Sequence, residues 1–201
     1  MEIEMETEYK KLVWTEERSR EIFRCPVFSI DEVFSLSPDK ESKTFTVMNA
    51  PDWVMVIPVL DTPRGRRFVM VRQWRHGARD LSLEFPGGVL EPGEDPAEGA
   101  KRELLEETGY MAADLQKIGE FNPNPAIMSN KIHFFVAKNP EKNGEQDLDD
   151  DEFVKVESVS AQDVFHKIGS PPYIHALIGS ALVLYMQSSA SERGYTPDNL
   201  Q

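Results

Sequence analysis

Cysteine occurs once in the 201 residues, at Cys25, so no intramolecular disulfide framework exists and a reducing cytosol is compatible with the chain. Beside Pro26, that cysteine reads as a small apolar filler. Basic residues are scarce: 22 Lys and Arg stand against 35 Asp and Glu, a net charge of −13. Nucleic acid and anionic membranes select basic surfaces, so neither is expected as a partner. Long apolar runs are missing too. The longest, around Ile178 to Met186, is too short and interrupted to span a bilayer. The acidic start MEIEMETEYKK has no apolar stretch of the secretory kind, which makes a cytoplasmic protein the expectation. No internal repeat is visible.

What remains suits one domain with a substantial core and a small extension, since 40% of the residues are hydrophobic. Residues 1 to about 12 read as a charged, mobile stretch. Residues 27–48 read as two strands joined by Ser37-Pro38-Asp39-Lys40, a pair with little core of its own that must pack on something else or on a second subunit. Trp53 to Leu60 is a continuous apolar strand, and Phe68 to Trp74 returns after the turn at Asp61–Gly65. Short strands follow at Leu81–Phe85, Leu115–Phe121, Ile132–Ala137 and Phe153–Val159, with a polar, flexible loop expected from Asn139 to Asp151. Ala161–Ile168 and Ile174–Gln187 read as helices. Strands, a helix, more strands and then helices describe an α+β chain, a mixed sheet covered by helices on both faces. The expected divisions are an N-terminal tail and β extension over 1–50, a main domain over 51–188 and a polar tail over 189–201.

Glycines and acids concentrate in one run, Gly88 to Tyr110, GVLEPGEDPAEGAKRELLEETGY. Pro96 suits the first turn of a helix and Gly109 its C-terminal cap. Glu103, Glu106 and Glu107 then lie at i, i+3 and i+4 on one face, where like charges repel. Two carboxylates about 4 Å apart near a surface cost about 4 kcal/mol at an effective dielectric near 20. A solvated acidic face is the bland alternative, but such faces usually mix signs. A hard divalent cation such as magnesium, which takes oxygen ligands, resolves the repulsion.

The run resembles the Nudix hydrolase signature, G-x5-E-x7-R-E-U-x-E-E-x-G-U with U a bulky apolar residue, at every position. Seven fixed residues at this spacing arise by chance at roughly one start site in 10⁸, so coincidence is excluded. The resemblance covers roughly Asp52 to Gln187 and implies the Nudix α/β/α sandwich, here with a small N-terminal β extension. The stretch VRQWRHG, and Pro125 placed 16 residues after Gly109, are similar to the ADP-ribose pyrophosphatase branch. In that branch the N-terminal strands commonly exchange across a homodimer.

The resemblance implies Mg2+-dependent hydrolysis of ADP-ribose, or of a similar nucleoside diphosphate sugar, by water attack on phosphorus, with Mn2+ able to substitute. Glu103 and Glu107 match the principal metal ligands, Glu106 the third carboxylate, and Gly87 the position that gives a backbone carbonyl to the metal. Arg102 and Glu94 match orienting residues. Glu152 aligns best with the general base, although Asp149, Asp150 and Asp151 leave the register open by a residue or two, and a plain solvated acidic loop weighs equally. Arg75 matches the diphosphate-contacting arginine, with an ordinary surface arginine as its alternative. Glu84 aligns with an acidic position that meets base, ribose or a metal-bound water. Trp74 is open to base stacking, but core or interface is the commoner use. His133 reads as packed, and His76, His166 and His175 show no metal-ligand spacing. The loop Asn122 to Ile127, with Pro125, borders the terminal sugar in the family but lacks its usual glycine and serines. Hydrolysis of another nucleotide sugar, such as GDP-mannose or ADP-glucose, and ADP-ribose sensing without cleavage are the rival readings.

Overall fold

The computed structural model describes residues 9–148 and 152–192. The expected mobile stretch before Tyr9, Asp149, Asp150 and Asp151, and the polar tail from residue 193 lie outside the described residues. The chain divides into two compact units, residues 1–51 with 122–130, and residues 52–121 with 131–201.

The first unit begins with a 3-10 turn at Tyr9–Leu12 and carries a three-stranded antiparallel sheet in the order β1 (Thr15–Arg24), β2 (Ser29–Leu36), β3 (Ser42–Asn49). Strands β2 and β3 form the hairpin expected from residues 27–48, closed by Lys40 N–H on Ser37 O. Strand β1 was not anticipated. Its sequence, TEERSREIFR, has charges where alternation would need apolar residues, and all ten positions are exposed. Backbone pairing to β2 holds it at the edge, interrupted by two register shifts. Residues 122–130 join this unit as a turn: the Ile127 and Met128 amides reach Asn124 O at 3.1 and 2.8 Å, and Met48 N–H meets Ile127 O at 2.7 Å. Pro125 therefore belongs to the first unit.

The second unit contains β4 (Trp53–Thr62), β5 (Gly65–Arg75), β6 (Asp80–Glu84), α1 (Pro96–Thr108), β7 (Tyr110–Met111), β8 (Leu115–Phe121), β9 (Ile132–Lys138), β10 (Glu141–Lys142), β11 (Lys155–Ser160), α2 (Ala161–Lys167) and α3 (Ala176–Glu192). Its main sheet runs β11-β5-β4-β9-β8, with β6 on the far half of β5. The β4–β9 pair is parallel and the other pairs are antiparallel, so the sheet is mixed.

The unbroken apolar run of β4 is explained by burial on both faces. Val54 and Val56 meet Ala100 and Leu104 of α1, while Met55, Ile57 and Val59 meet Val164 of α2 and Ile178 and Leu182 of α3. One helix on one face and two on the other give the expected α+β sandwich. No helix among the described residues is long and apolar enough to cross a membrane.

Two expectations change. Helix α3 continues to Glu192, past the expected end at Gln187. The segment from Asn139, expected to be flexible, is anchored as far as it is described. Strand β10 pairs with β7, Asn143 and Gly144 N–H bond Gly109 O at 2.9 and 3.2 Å, and Asp147 N–H bonds Glu106 O at 2.9 Å. The Gln146 side chain adds a bond to Glu107 O at 2.7 Å. These donors satisfy carbonyls that the end of α1 leaves without helical partners.

Candidate active site

Helix α1 is fixed at both ends. The Asp95 carboxylate caps the Ala97 and Glu98 amides at 2.9 and 3.3 Å, and Pro96 follows where its missing N–H costs nothing. At the other end Gly109 takes φ 70°, and its N–H closes on Leu105 O at 2.7 Å. A Cβ there would also lie 2.4 Å from Gly144 O, so only glycine admits the anchored loop. Ala100 and Leu104 turn to the sheet, which leaves Glu103, Glu106 and Glu107 along the flank facing the glycine loop.

That loop is stitched along β4. Val56 N–H reaches Pro86 O and Val54 N–H reaches Gly88 O, both at 2.9 Å. Extended backbone alternates its bonding edge from residue to residue, so Gly87 presents its N–H and carbonyl to the opposite side, toward α1. The Gly87 N–H duly donates to Glu107 Oε2 at 2.8 Å. A Cβ at Gly87 would lie 2.1 Å from Val54 O, and one at Gly88 would lie 2.6 Å from Glu103 Oε1. The two glycines thus let backbone and carboxylates close on each other.

Arg102 organises the acids. Its Nε and Nη2 hold Glu94 at 2.9 and 3.0 Å, while Nη1 bridges Glu103 and Glu106 at 2.9 Å each. Nη2 also reaches Val89 O at 3.2 Å. Glu94 in turn accepts the Glu91 N–H at 2.9 Å. The guanidinium fork holds the Glu94 carboxyl below the usual range, and Glu94 leads the groups that push Arg102 up.

Glu107 has no such cation. It is 4% exposed, and burial, with the charges of Glu103 and Glu152 added, pushes its carboxyl up to about 8 against the opposing Gly87 N–H and Arg75. Burial also raises Glu103; Arg102 opposes that shift, and Glu106 and Glu152 reinforce it. Glu152 therefore lies within electrostatic reach of both carboxylates and of Arg75.

Arg75, at the end of β5, is engaged bidentately by Glu84 of β6: Nε to Oε1 at 2.9 Å and Nη2 to Oε2 at 2.7 Å. Glu84, expected to face substrate, is only 1% exposed and sits behind the arginine. Burial alone would raise its carboxyl, but the Arg75 fork outweighs burial and holds it low. Trp74 is 48% exposed, so it is not a core residue. His133 is buried between Asp52 and Glu120, its nitrogens at 3.1 and 3.3 Å from their carboxylates, as a packed histidine. His175, passed over for lack of ligand spacing, lies 3.9 Å from Glu84; its position just ahead of α3 was the signal available.

Among the described residues no three acidic, histidine or cysteine groups already form a metal cage. Arg102 draws Glu103 and Glu106, and the Gly87 amide holds Glu107. The donor set nevertheless fits a hard divalent cation. A buried carboxylate with one N–H partner, a half-buried carboxylate that shifts it, and the carbonyl of the glycine whose N–H meets the first are all oxygen donors suited to a hard cation.

The NUDIX domain model matches residues 51–177. The chain is 35% identical over 134 residues to the ADP-ribose pyrophosphatase of Bacillus subtilis (strain 168), covering 66% of this chain and 71% of that protein. It is 36% identical over 118 residues to the methanol dehydrogenase activator of Bacillus methanolicus, covering 58% and 62%. A crystal structure of an ADP compounds hydrolase superposes with a TM-score of 0.77 over 91% of this chain and 97% of that one, and at 23% identity it speaks for the fold. With the signature helix, the glycine loop and the sandwich in place, this chain belongs to the NUDIX family and is a Nudix hydrolase.

Proposed function

We propose that the chain hydrolyses the diphosphate bond of ADP-ribose or a similar nucleoside diphosphate sugar, with Mg2+ or, in substitution, Mn2+. The observation that carries this reading is the charge-strained pair of half-buried Glu103 and buried Glu107 against the Gly87 backbone, with the Arg75 guanidinium nearby. Glu103, Glu106, Glu107 and the Gly87 carbonyl are the groups assigned to hold the cation. When bound, such an ion neutralises charge on the diphosphate and lowers the pKa of water. Arg102 orients the carboxylates, and Arg75 offers the N–H groups that Glu84 leaves free to phosphate oxygens. Glu152 is assigned the base: it takes a proton from water as oxygen attacks phosphorus and the bridging P–O bond breaks. The products are a nucleoside monophosphate and a sugar phosphate, AMP and ribose 5-phosphate in the case of ADP-ribose. That preference is supported by the Bacillus subtilis relative.

A panel of nucleotide sugars and dinucleotides, scored for magnesium-dependent release of the two monophosphates, tests the reading. Turnover is expected to be highest on ADP-ribose or another ADP-sugar. Preference for GDP-mannose moves the substrate within the class, and tight ADP-ribose binding with no turnover points to a sensor. Glu152→Gln is expected to lower kcat by about 10²-fold or more with little change in KM. A wild-type kcat in that variant removes Glu152 from the role of base.

A homodimer is part of the same proposal. The first unit exposes Trp14, Ile22, Phe23 and Phe45, and its edge strand β1 carries both signs, Glu16, Glu17 and Glu21 with Arg18, Arg20 and Arg24. A strand carrying both signs is self-complementary across a two-fold axis, as an isologous contact requires. Light scattering is expected to give twice the chain mass of 22.9 kDa, and a monomer mass at micromolar concentration would refute the dimer.

A further inference from the structure

We propose that His175 is a positioning residue that ties the start of α3 to the buried Glu84 and so aims the half-buried Arg75 guanidinium, which Glu84 holds, at the diphosphate. The inference rests on the hydrolase reading above and adds a residue that the signature does not contain.

Three observations carry it. The last residue before α3 is His175, and its Nδ1 accepts the Leu177 N–H at 3.2 Å, the bond made by a helix-capping side chain. Nδ1 therefore presents a lone pair, and the single proton of the neutral ring must sit on Nε2. Burial lowers the ring's proton affinity and keeps it in this neutral form at pH 7. Second, Nε2 lies 3.9 Å from Glu84 Oε2, the oxygen that also accepts Arg75 Nη2. At that distance the contact is electrostatic, longer than a hydrogen bond, and it falls on the oxygen that the arginine also holds. Third, the segment cannot drift. Leu83 N–H bonds Pro172 O at 2.9 Å, and Tyr173 packs into the main core at 4% exposed.

Glu84 is 1% exposed and bound on both oxygens by Arg75, so its position is passed on through the arginine. Both of its oxygens are used by the arginine, and rotation of the carboxylate would swing the guanidinium. The titratable groups that face the pair are His175, Glu107 and Glu152. Of these, His175 is the group whose place is set by the helix it caps. A bland alternative exists: His175 caps α3 and does nothing else.

His175→Asn separates the two. Asparagine is a good capping residue, but its side chain is too short to reach Glu84. In the full-length protein the variant should melt within about 2 °C of wild type, the shift of less than 1 kcal/mol in a chain this size. The KM for the best nucleotide sugar is expected to rise about tenfold, as for other residues that orient a contact group. Its kcat should stay within about twofold, because Arg75 binds ground state and transition state alike. In an Arg75→Lys background the same change should add nothing further. A wild-type KM in His175→Asn, or full additivity with Arg75→Lys, overturns the proposal. A long-range 1H–15N spectrum of the wild-type protein should show His175 protonated on Nε2, and protonation on Nδ1 overturns it as well. If no nucleotide sugar is turned over, the substrate reading falls, while the tautomer and the affinity for ADP, expected to weaken about tenfold in His175→Asn and overturning if unchanged, still decide the role of His175.

Discussion

Replacing Glu107 by glutamine is expected to stabilise the metal-free protein while removing nearly all of its turnover. Glu107 is 4% exposed, and its carboxyl titrates at about 8 because burial, Glu103 and Glu152 disfavour the charged form. In an unfolded chain the group titrates near 4.3. The folded state therefore binds the proton more tightly, so the stability this group contributes is fully present below about pH 4.3 and is lost as pH rises through about 8. With a chelator present, the melting temperature of the wild type should fall across that window. Glu107→Gln cannot ionise, yet its amide oxygen can still accept the Gly87 N–H. The variant should show a flatter pH dependence and should melt above wild type at pH 8. Magnesium should reverse the order, raising the wild type by mass action and leaving the variant nearly unmoved. Loss of one ligand from an ion that contributes several kcal/mol should lower kcat by roughly 10³-fold. Equal magnesium shifts in the two proteins, or turnover unaffected by the substitution, would count against Glu107 as a ligand.

The parts legible beforehand are those where one side chain reports one backbone demand. Pro96 and Gly109 marked the two ends of α1, and the unbroken run of β4 marked a strand buried on both faces. Legibility stopped where backbone bonding decides the structure. Nothing in TEERSREIFR distinguishes an edge strand from a charged coil, because the bonds that hold β1 are made by the amides and carbonyls of β2. The anchoring of the acidic segment has the same origin, since its partners are the carbonyls of Glu106, Glu107 and Gly109. Arg75 and Glu84 each stood out in the sequence as candidates, but not as a pair. The β5–β6 register sets Val71 opposite Glu84 and Arg75 opposite Asp80, so Arg75 and Glu84 share one face of the sheet four residues apart, a gap that their two long side chains span. Such a pair is a property of register, which single-residue patterns do not carry.

Arg102→Lys is the second large effect expected, and it asks whether charge or geometry matters at the centre of the acidic cluster. The guanidinium makes bonds in several directions at once, to both oxygens of Glu94, to Glu103, to Glu106 and to Val89 O. Lysine keeps the positive charge but concentrates three donors on one nitrogen, which cannot span Glu94 and the Glu103–Glu106 edge together. Glu94 is 15% and Glu103 13% exposed, so whichever is released keeps little water to replace the lost bond. Loss of a charge-assisted bond of that kind costs about 2 kcal/mol, or about 6 °C in a chain of this length. The catalytic cost should be larger, because Glu103 then lies unaligned with Glu107: kcat is expected to fall about 10- to 100-fold, with a higher magnesium concentration needed for half-maximal rate. The exposed ion pair of Lys101 with Glu98, one residue back on the same helix, is the control. Lys101→Ala should leave rate and magnesium dependence unchanged, as exposed pairs contribute little. If Arg102→Lys matched that control in its metal dependence, net charge alone would account for the role of Arg102, and the fork geometry would carry no part of the site.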